Sequence, residues 1–248
     1  VPPADALSLP IPSPVELPLE VGRSLRVPSP RTVRRIGLRV LAGFVAFLAL
    51  GNLAIFVAML AAQATAPTVA PVPAAVSQTI SNAEVVDDHL WRGGAPSEAG
   101  YRALADAGVT TVVDLRAEDD LAVPTELLDE LGITRVAMPL RDGQAPTPGF
   151  VDAFLRNVQG SDGRVFVHCG AGVGRTGAVV AAYRVQEHGS SGLGAMRANL
   201  EVGPPSLEQL AFAAGMSQGE SADRPNPAIV AASRLLDAPR RIWKNLEG

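Results

Sequence analysis

Residues 40–62, VLAGFVAFLALGNLAIFVAMLAA, carry no charged side chain, and Asn52 is their one strongly polar position. About 20 such residues cross the hydrocarbon core of a bilayer. The pattern therefore predicts a single transmembrane helix over 37–63 that meets membrane lipid through residues 40–62. A cleaved signal segment ending at Ala62-Gln63-Ala64 is the alternative, which would leave the remainder secreted, but the apolar run is longer than a usual signal core. The flanks differ in character. Residues 1–36 are proline-rich and basic with little helical or strand period, and read as disordered. Residues 64–79 read as a semi-extended Ala/Pro linker.

From Ile80 the pattern becomes that of a folded domain, predicted over 80–218. Val109–Leu115, Thr134–Met138 and Arg164–His168 are short β-branched runs that read as buried strands. Between them lie helical patterns with recognisable ends. Ser97 caps a helix through Ala107, Pro124–Leu131 is closed by Gly132, and Thr147-Pro148 opens a helix that runs to about Gln159. Further helices are predicted over Arg175–Glu187, Leu193–Glu201 and Leu207–Met216. Strands alternating with helices imply an α/β class fold, a central, mostly parallel sheet flanked by helices. The segment 219–248 reads as a tail with an amphipathic helix, apolar at Ile229, Leu235, Leu236, Ile242 and Trp243, that Pro239 should kink or split.

Charge narrows the function and orients the span. A net charge of −4 and a pI near 5.4 speak against a nucleic-acid partner. The single cysteine excludes an intrachain disulfide and a multi-cysteine metal site, and His89, His168 and His188 are not at zincin spacing. No metal or cofactor is expected. Arg23, Arg26, Arg31, Arg34, Arg35 and Arg39 precede the apolar run, whereas Glu84, Asp87 and Asp88 follow it before the first basic residue, Arg92. The positive-inside rule then predicts a cytoplasmic N-terminus and an extracytoplasmic C-terminal domain.

The chemistry is concentrated in Val165-Phe-Val-His-Cys-Gly-Ala-Gly-Val-Gly-Arg-Thr-Gly177. A strand leads into a glycine-rich loop, and a helix follows. A helix N-terminus and glycine-permitted bends turn backbone amides toward an anion. Arg175 offers a planar fork matched to two phosphate oxygens. A thiol attacks only as its thiolate, which cations and helix N-termini favour, and Cys169 precedes both. Gly170, Ala171, Gly172, Val173, Gly174 and Arg175 are the predicted phosphate cradle. Thr176 is placed to donate its hydroxyl to the thiolate.

His-Cys-x-x-Gly-x-x-Arg-Thr-Gly in this setting resembles the signature of the protein-tyrosine and dual-specificity phosphatase superfamily. Leu90-Trp-Arg-Gly-Gly-Ala-Pro96 and Gly108-Val-Thr-Thr-Val-Val-Asp-Leu-Arg116 extend the resemblance to its compact bacterial members, over about residues 84–216. The resemblance implies a phosphatase-like fold, a phosphocysteine intermediate on Cys169, a supporting role for His168, and a general-acid aspartate on a mobile upstream loop. Met138-Pro-Leu-Arg-Asp-Gly-Gln-Ala-Pro146 looks like that loop, which assigns Asp142 as the acid. Gln209 stands where some relatives position water, but Ser206-Leu-Glu-Gln209 is also a capping box, the favoured reading. Asp114 reads as a structural turn residue, Asp119 and Asp120 as solvent-facing, and Arg116 and Arg141 as solvated. The expected substrate is a phosphorylated protein or a small phosphate ester, because the loop lacks the lysines frequent in inositol-phosphate and phosphoinositide members. Those lipid and inositol substrates, a phosphopeptide-binding pseudophosphatase, and rhodanese or arsenate-reductase chemistry are the competing readings.

Overall fold

Four parallel strands bring their carboxyl ends into one row, and that row locates the site. The computed structural model describes residues 29–67, 70–117, 123–220 and 223–247, without the side chains of 240, 241 and 243–247. Its sheet contains β1 (Glu84–Val85), β2 (Leu90–Gly93), β3 (Val109–Asp114), β4 (Thr134–Ala137) and β5 (Arg164–His168), in the order β1-β2-β5-β3-β4. β1 pairs antiparallel to β2, and the remaining pairs are parallel. Register aligns Gly93, His168, Asp114 and Ala137 across the sheet. Ligands of parallel α/β sheets bind beyond such carboxyl ends.

Burial on both faces explains the apolar strand runs. The helices are α1 (Pro30–Ala64), α2 (Ala74–Thr79), α3 (Glu98–Asp106), α4 (Thr125–Glu130), α5 (Pro148–Gln159), α6 (Gly174–His188), α7 (Gly192–Val202), α8 (Leu207–Ala214) and α9 (Pro227–Glu247). On one face Phe166 and Val112 pack with Val76, Ile80, Tyr101, Leu104 and Leu128 of the α2–α4 side. On the other, Val165, Val167 and Cys169 pack with Phe154, Val158, Val179 and Tyr183 of α5 and α6. The alternation of Val165, Phe166 and Val167 between clusters is the two-residue period of a strand. α6 is buried almost all round, which accounts for its weak amphipathic signal.

Several expectations are corrected. Helix α1 begins at Pro30, so 30–36 are helical rather than disordered; Ser29 accepts from the backbone N–H of Thr32 and proline occupies the first helical position. Residues 1–28, like Asp119 and Asp120, lie outside the described residues. The linker over 64–79 is too long, because Ala74–Thr79 is helical and Val76 is fully buried in the sheet core. β2 was not foreseen as a strand. Within 219–248 the helix α9 continues through Pro239 rather than splitting there, and among its described positions Ser233 and Leu236 are buried, whereas Leu235 and Ile242 are exposed.

The chain divides into two units at Gly43. Within the second, α1 is not uniformly free. Met59 and Ala62 are buried against Leu200 and Leu210, and Gly51 lies against Leu236. Phe44, Phe47, Leu50, Leu53, Phe56, Val57 and Leu60 remain exposed.

Candidate active site

The loop after β5 is shaped from behind. Ala95 N–H donates to the Gly170 carbonyl at 2.9 Å, Asn82 Nδ2 to the Ala171 carbonyl at 2.8 Å, and an Arg92 guanidinium nitrogen to the Gly172 carbonyl at 2.7 Å. No peptide among the described residues is cis. In a planar trans peptide the N–H points opposite to the carbonyl it follows. Three carbonyls tied back to the β2 side therefore turn the amides of Ala171, Gly172 and Val173 the other way, toward the cavity. Gly172 has φ +75°, and a methyl there would overlap the Gly93–Gly94 backbone. That close approach requires glycine. Gly174 starts α6, whose N-terminus faces the loop.

Arg92 had no sequence-assigned role. It is 1% exposed, and burial pushes its pKa down to about 10, with Glu84 opposing and Arg184 adding to that shift. It remains a cation at neutral pH. The only sequence signal was a charged residue set among Leu90, Trp91 and two glycines.

Cys169, Arg175 and Asp142 share one cavity of about 340 Å³. Cys169 and Arg175 are each 3% exposed. Arg175 Nη1 donates to the Leu140 carbonyl at 3.3 Å and the Leu115 carbonyl at 3.5 Å, which fixes the plane of its fork. Its Nε lies 3.6 Å from Asp142 Oδ1. Thr176 is brought to the site, but its buried Oγ1 has no hydrogen-bond partner, so the expected bond to the sulfur is not made in this state.

The acid loop is held rather than loose. Ser206 Oγ donates to the Gly143 carbonyl at 2.8 Å, Gln209 Nε2 to the Gln144 carbonyl at 3.2 Å, and Ala145 N–H to Glu208 Oε1 at 3.0 Å. Three successive residues are thus fastened to the start of α8. The Ser206–Gln209 capping box is present, and Gln209 also lines the cavity. Its cap and clamp bonds occupy both ends of its amide.

His168 is fully buried. Its Nδ1 lies 3.2 Å from the Cys169 carbonyl oxygen and its Nε2 3.8 Å from Asp114 Oδ1. A carbonyl only accepts, so Nδ1 carries the proton. Burial pushes the imidazole pKa down to about 4, against the pull of Asp114, and the ring is neutral at pH 7. Asp114 is the hub of a buried ion cluster. Arg116 grips it at 2.9 and 3.0 Å and Arg135 at 2.8 and 3.2 Å. Burial alone would raise its pKa, but these bonds and His168 hold the carboxyl well below the usual range. Arg116 is therefore not a solvated arginine; Arg141 is exposed.

The His168 geometry sets a pH dependence. The folded ring refuses a proton that the unfolded chain accepts below about 6.5, so the fold binds fewer protons between about pH 4 and 6.5. Stability should be full above 6.5 and fall by about 3 kcal/mol as pH drops to about 4. Urea unfolding of His168→Asn beside wild type from pH 7.5 to 4.5 checks this. The variant should lose most of the slope, and equal slopes would refute the assignment.

Residues 61–215 match the family described as "DSP-PTPase phosphatase fused to NAD+ Kinase". NAD kinase 2, chloroplastic, of Arabidopsis thaliana is 37% identical over 101 residues, covering 38% of this chain and 10% of that protein. Dual specificity protein phosphatase CDC14C of Symphalangus syndactylus is 28% identical over 91 residues, covering 37% of this chain and 18% of that protein. The chain thus spans 10% to 18% of the length of these two curated relatives. The crystal structure of P. aeruginosa TpbA is similar at 25% identity and a TM-score of 0.41, over 47% of this chain and 70% of that one.

Proposed function

This chain belongs to the DSP-PTPase family of cysteine-dependent phosphatases, and on that premise we propose that it hydrolyses phosphate monoesters of phosphoproteins, phosphotyrosine among them, through a phosphocysteine intermediate. The observation that carries the reading is the tied-back loop: three amides aimed at the cavity that holds Cys169, Arg175 and Asp142.

The Cys169 thiolate attacks phosphorus, forming the S–P bond as the P–O ester bond breaks. Asp142 gives its proton to the departing oxygen. The Asp142 carboxylate then takes a proton from water, whose oxygen attacks phosphorus and returns the electron pair of the S–P bond to sulfur. Arg175 and the loop amides hold the equatorial oxygens where charge is greatest. His168 supports the loop through the Cys169 carbonyl. The loop between Cys169 and Arg175 contains no lysine, which favours phosphoprotein over inositol-phosphate or phosphoinositide esters. Turnover of p-nitrophenyl phosphate by the full chain in detergent under reducing conditions, with Cys169→Ser as the blank, tests the reading. No difference between the two would sink it.

The exposed apolar residues of α1 support membrane association as part of the same proposal; a full span over 37–63 requires Gly51, Met59 and Ala62 to leave their contacts with Leu236, Leu200 and Leu210. Flanking charge favours an extracytoplasmic catalytic domain. There the lone Cys169 thiolate meets oxidant without a resolving cysteine among the residues of this chain. A reporter fused after Gly248 that works only outside the cytoplasm should be active, and activity of a cytoplasm-only reporter would reverse the orientation.

A further inference from the structure

A second arginine stands behind the phosphate loop. Arg92 is buried in β2, and its Nη2 donates to the Gly172 carbonyl at 2.7 Å. Neither Arg92 nor Gly172 is among the described residues that line the cavity, whereas Val173 is. Antiparallel pairing sets Glu84 of β1 directly opposite Arg92. Glu84 Oε1 also accepts from Arg184 Nη2 of α6 at 3.0 Å. Two cations thus share one carboxylate, and the group keeps a net positive charge beside the loop. Burial works first of all against the Arg92 cation; Glu84 then favours it, Arg184 opposes it, and a Cys169 anion favours it. The charge of the active site is therefore felt at Arg92.

A buried cation is costly unless an anion answers it. Glu84 is shared with Arg184 and answers Arg92 only in part. The rest of the counter-charge comes from the anion in the cradle. The path between them is one peptide, with Arg92 on the Gly172 carbonyl and the cavity beyond the Val173 N–H. A carbonyl that accepts from a cation is polarised, and linked hydrogen bonds strengthen one another. We infer that Arg92 is a positioning residue and the second cation of the phosphate site: it fixes the Gly172–Val173 peptide from behind and carries positive charge through it to the phosphoryl group. Arg175 grips that group directly, whereas Arg92 acts on it through the peptide. The inference rests on the phosphatase reading and deepens it.

The test uses the full chain in detergent and its Arg92→Met, Arg92→Lys and Glu84→Gln variants. Calorimetry measures the affinity for inorganic phosphate, and p-nitrophenyl phosphate gives kcat and KM. Arg92→Met should weaken phosphate binding by about tenfold and lower kcat/KM by about 10²-fold, because the Val173 donor is lost from the transition state as well. Arg92→Lys keeps the charge without the planar fork and should stay within about threefold of wild type in phosphate affinity. Glu84→Gln should act in the opposite direction. With a negative charge removed from behind the loop, phosphate should bind about two- to fivefold more tightly. A role in packing alone predicts neither that gain nor rescue by lysine. Phosphate affinity that is unchanged or weaker in Glu84→Gln, in a chain that keeps its Cys169-dependent turnover, overturns the inference alone, even where Arg92→Met fails to fold. Absence of Cys169-dependent turnover in wild type removes the phosphatase reading and the inference together.

Discussion

Cys169→Ser should lower kcat on p-nitrophenyl phosphate by on the order of 10⁴-fold or more while phosphate binding survives. A hydroxyl ionises far less readily than a thiol and needs a general base beside it. This site offers none at that position. The Nδ1 proton of His168 points at the carbonyl of residue 169 itself, and Nε2 faces Asp114, so neither ring nitrogen serves the side chain at 169. The cradle does not depend on the sulfur. Its carbonyls are anchored by Ala95, Asn82 and Arg92, and Arg175 is anchored by Leu115 and Leu140. Calorimetric titration with inorganic phosphate should therefore give the serine variant an affinity equal to or tighter than wild type. Retention of more than about a tenth of wild-type turnover would remove Cys169 as the nucleophile.

The part of this site that is local in sequence was readable there. A β-branched strand, a glycine loop and a helix start are contiguous from Val165 to Gly177, and their spacing alone puts Cys169 below Arg175. The helix ends at Ser97, Thr147 and Ser206 were readable for the same reason, because a cap acts within three residues. What was missed depends on distant partners. β2 is four residues long, and its Arg92 interrupts the apolar run, so no period marks it as a strand; only pairing with β5 makes it one. The α2 hexamer AAVSQT is too short to signal a helix within an Ala/Pro stretch, and its register is set by burying Val76. Asp114 and Arg116 looked like turn and surface residues because nothing in sequence brings Arg135 to them. The clamp from α8 onto the acid loop likewise joins segments far apart in the chain. The apolar stripe expected on α9 placed Leu236 on the packed face but also Leu235 and Ile242, which are exposed, because the buried neighbour at that junction is a serine, Ser233.

Asp142→Asn should split substrates by leaving group. The carboxamide keeps the shape of the carboxyl and can still lie beside Arg175, but it cannot hand over a proton. An alkoxide departs poorly without one, so kcat on an alkyl phosphate should fall by about 10²- to 10³-fold. p-Nitrophenolate departs unaided, and formation of the phosphocysteine from p-nitrophenyl phosphate should slow by less than about tenfold. The second step then exposes the other role of the same residue. Without its carboxylate to activate water, hydrolysis of the phosphocysteine lags, and rapid mixing should show a burst of nitrophenol followed by slow release. The Ser206, Glu208 and Gln209 bonds are made to the backbone of residues 143–145, not to the side chain of Asp142. The variant therefore leaves the loop in place, and the split reports proton transfer rather than collapse. Equal losses on both substrates with no burst would show that Asp142 is not the acid. The remaining carboxylate in the described lining of the cavity, Asp237, would then be the group to test for that role.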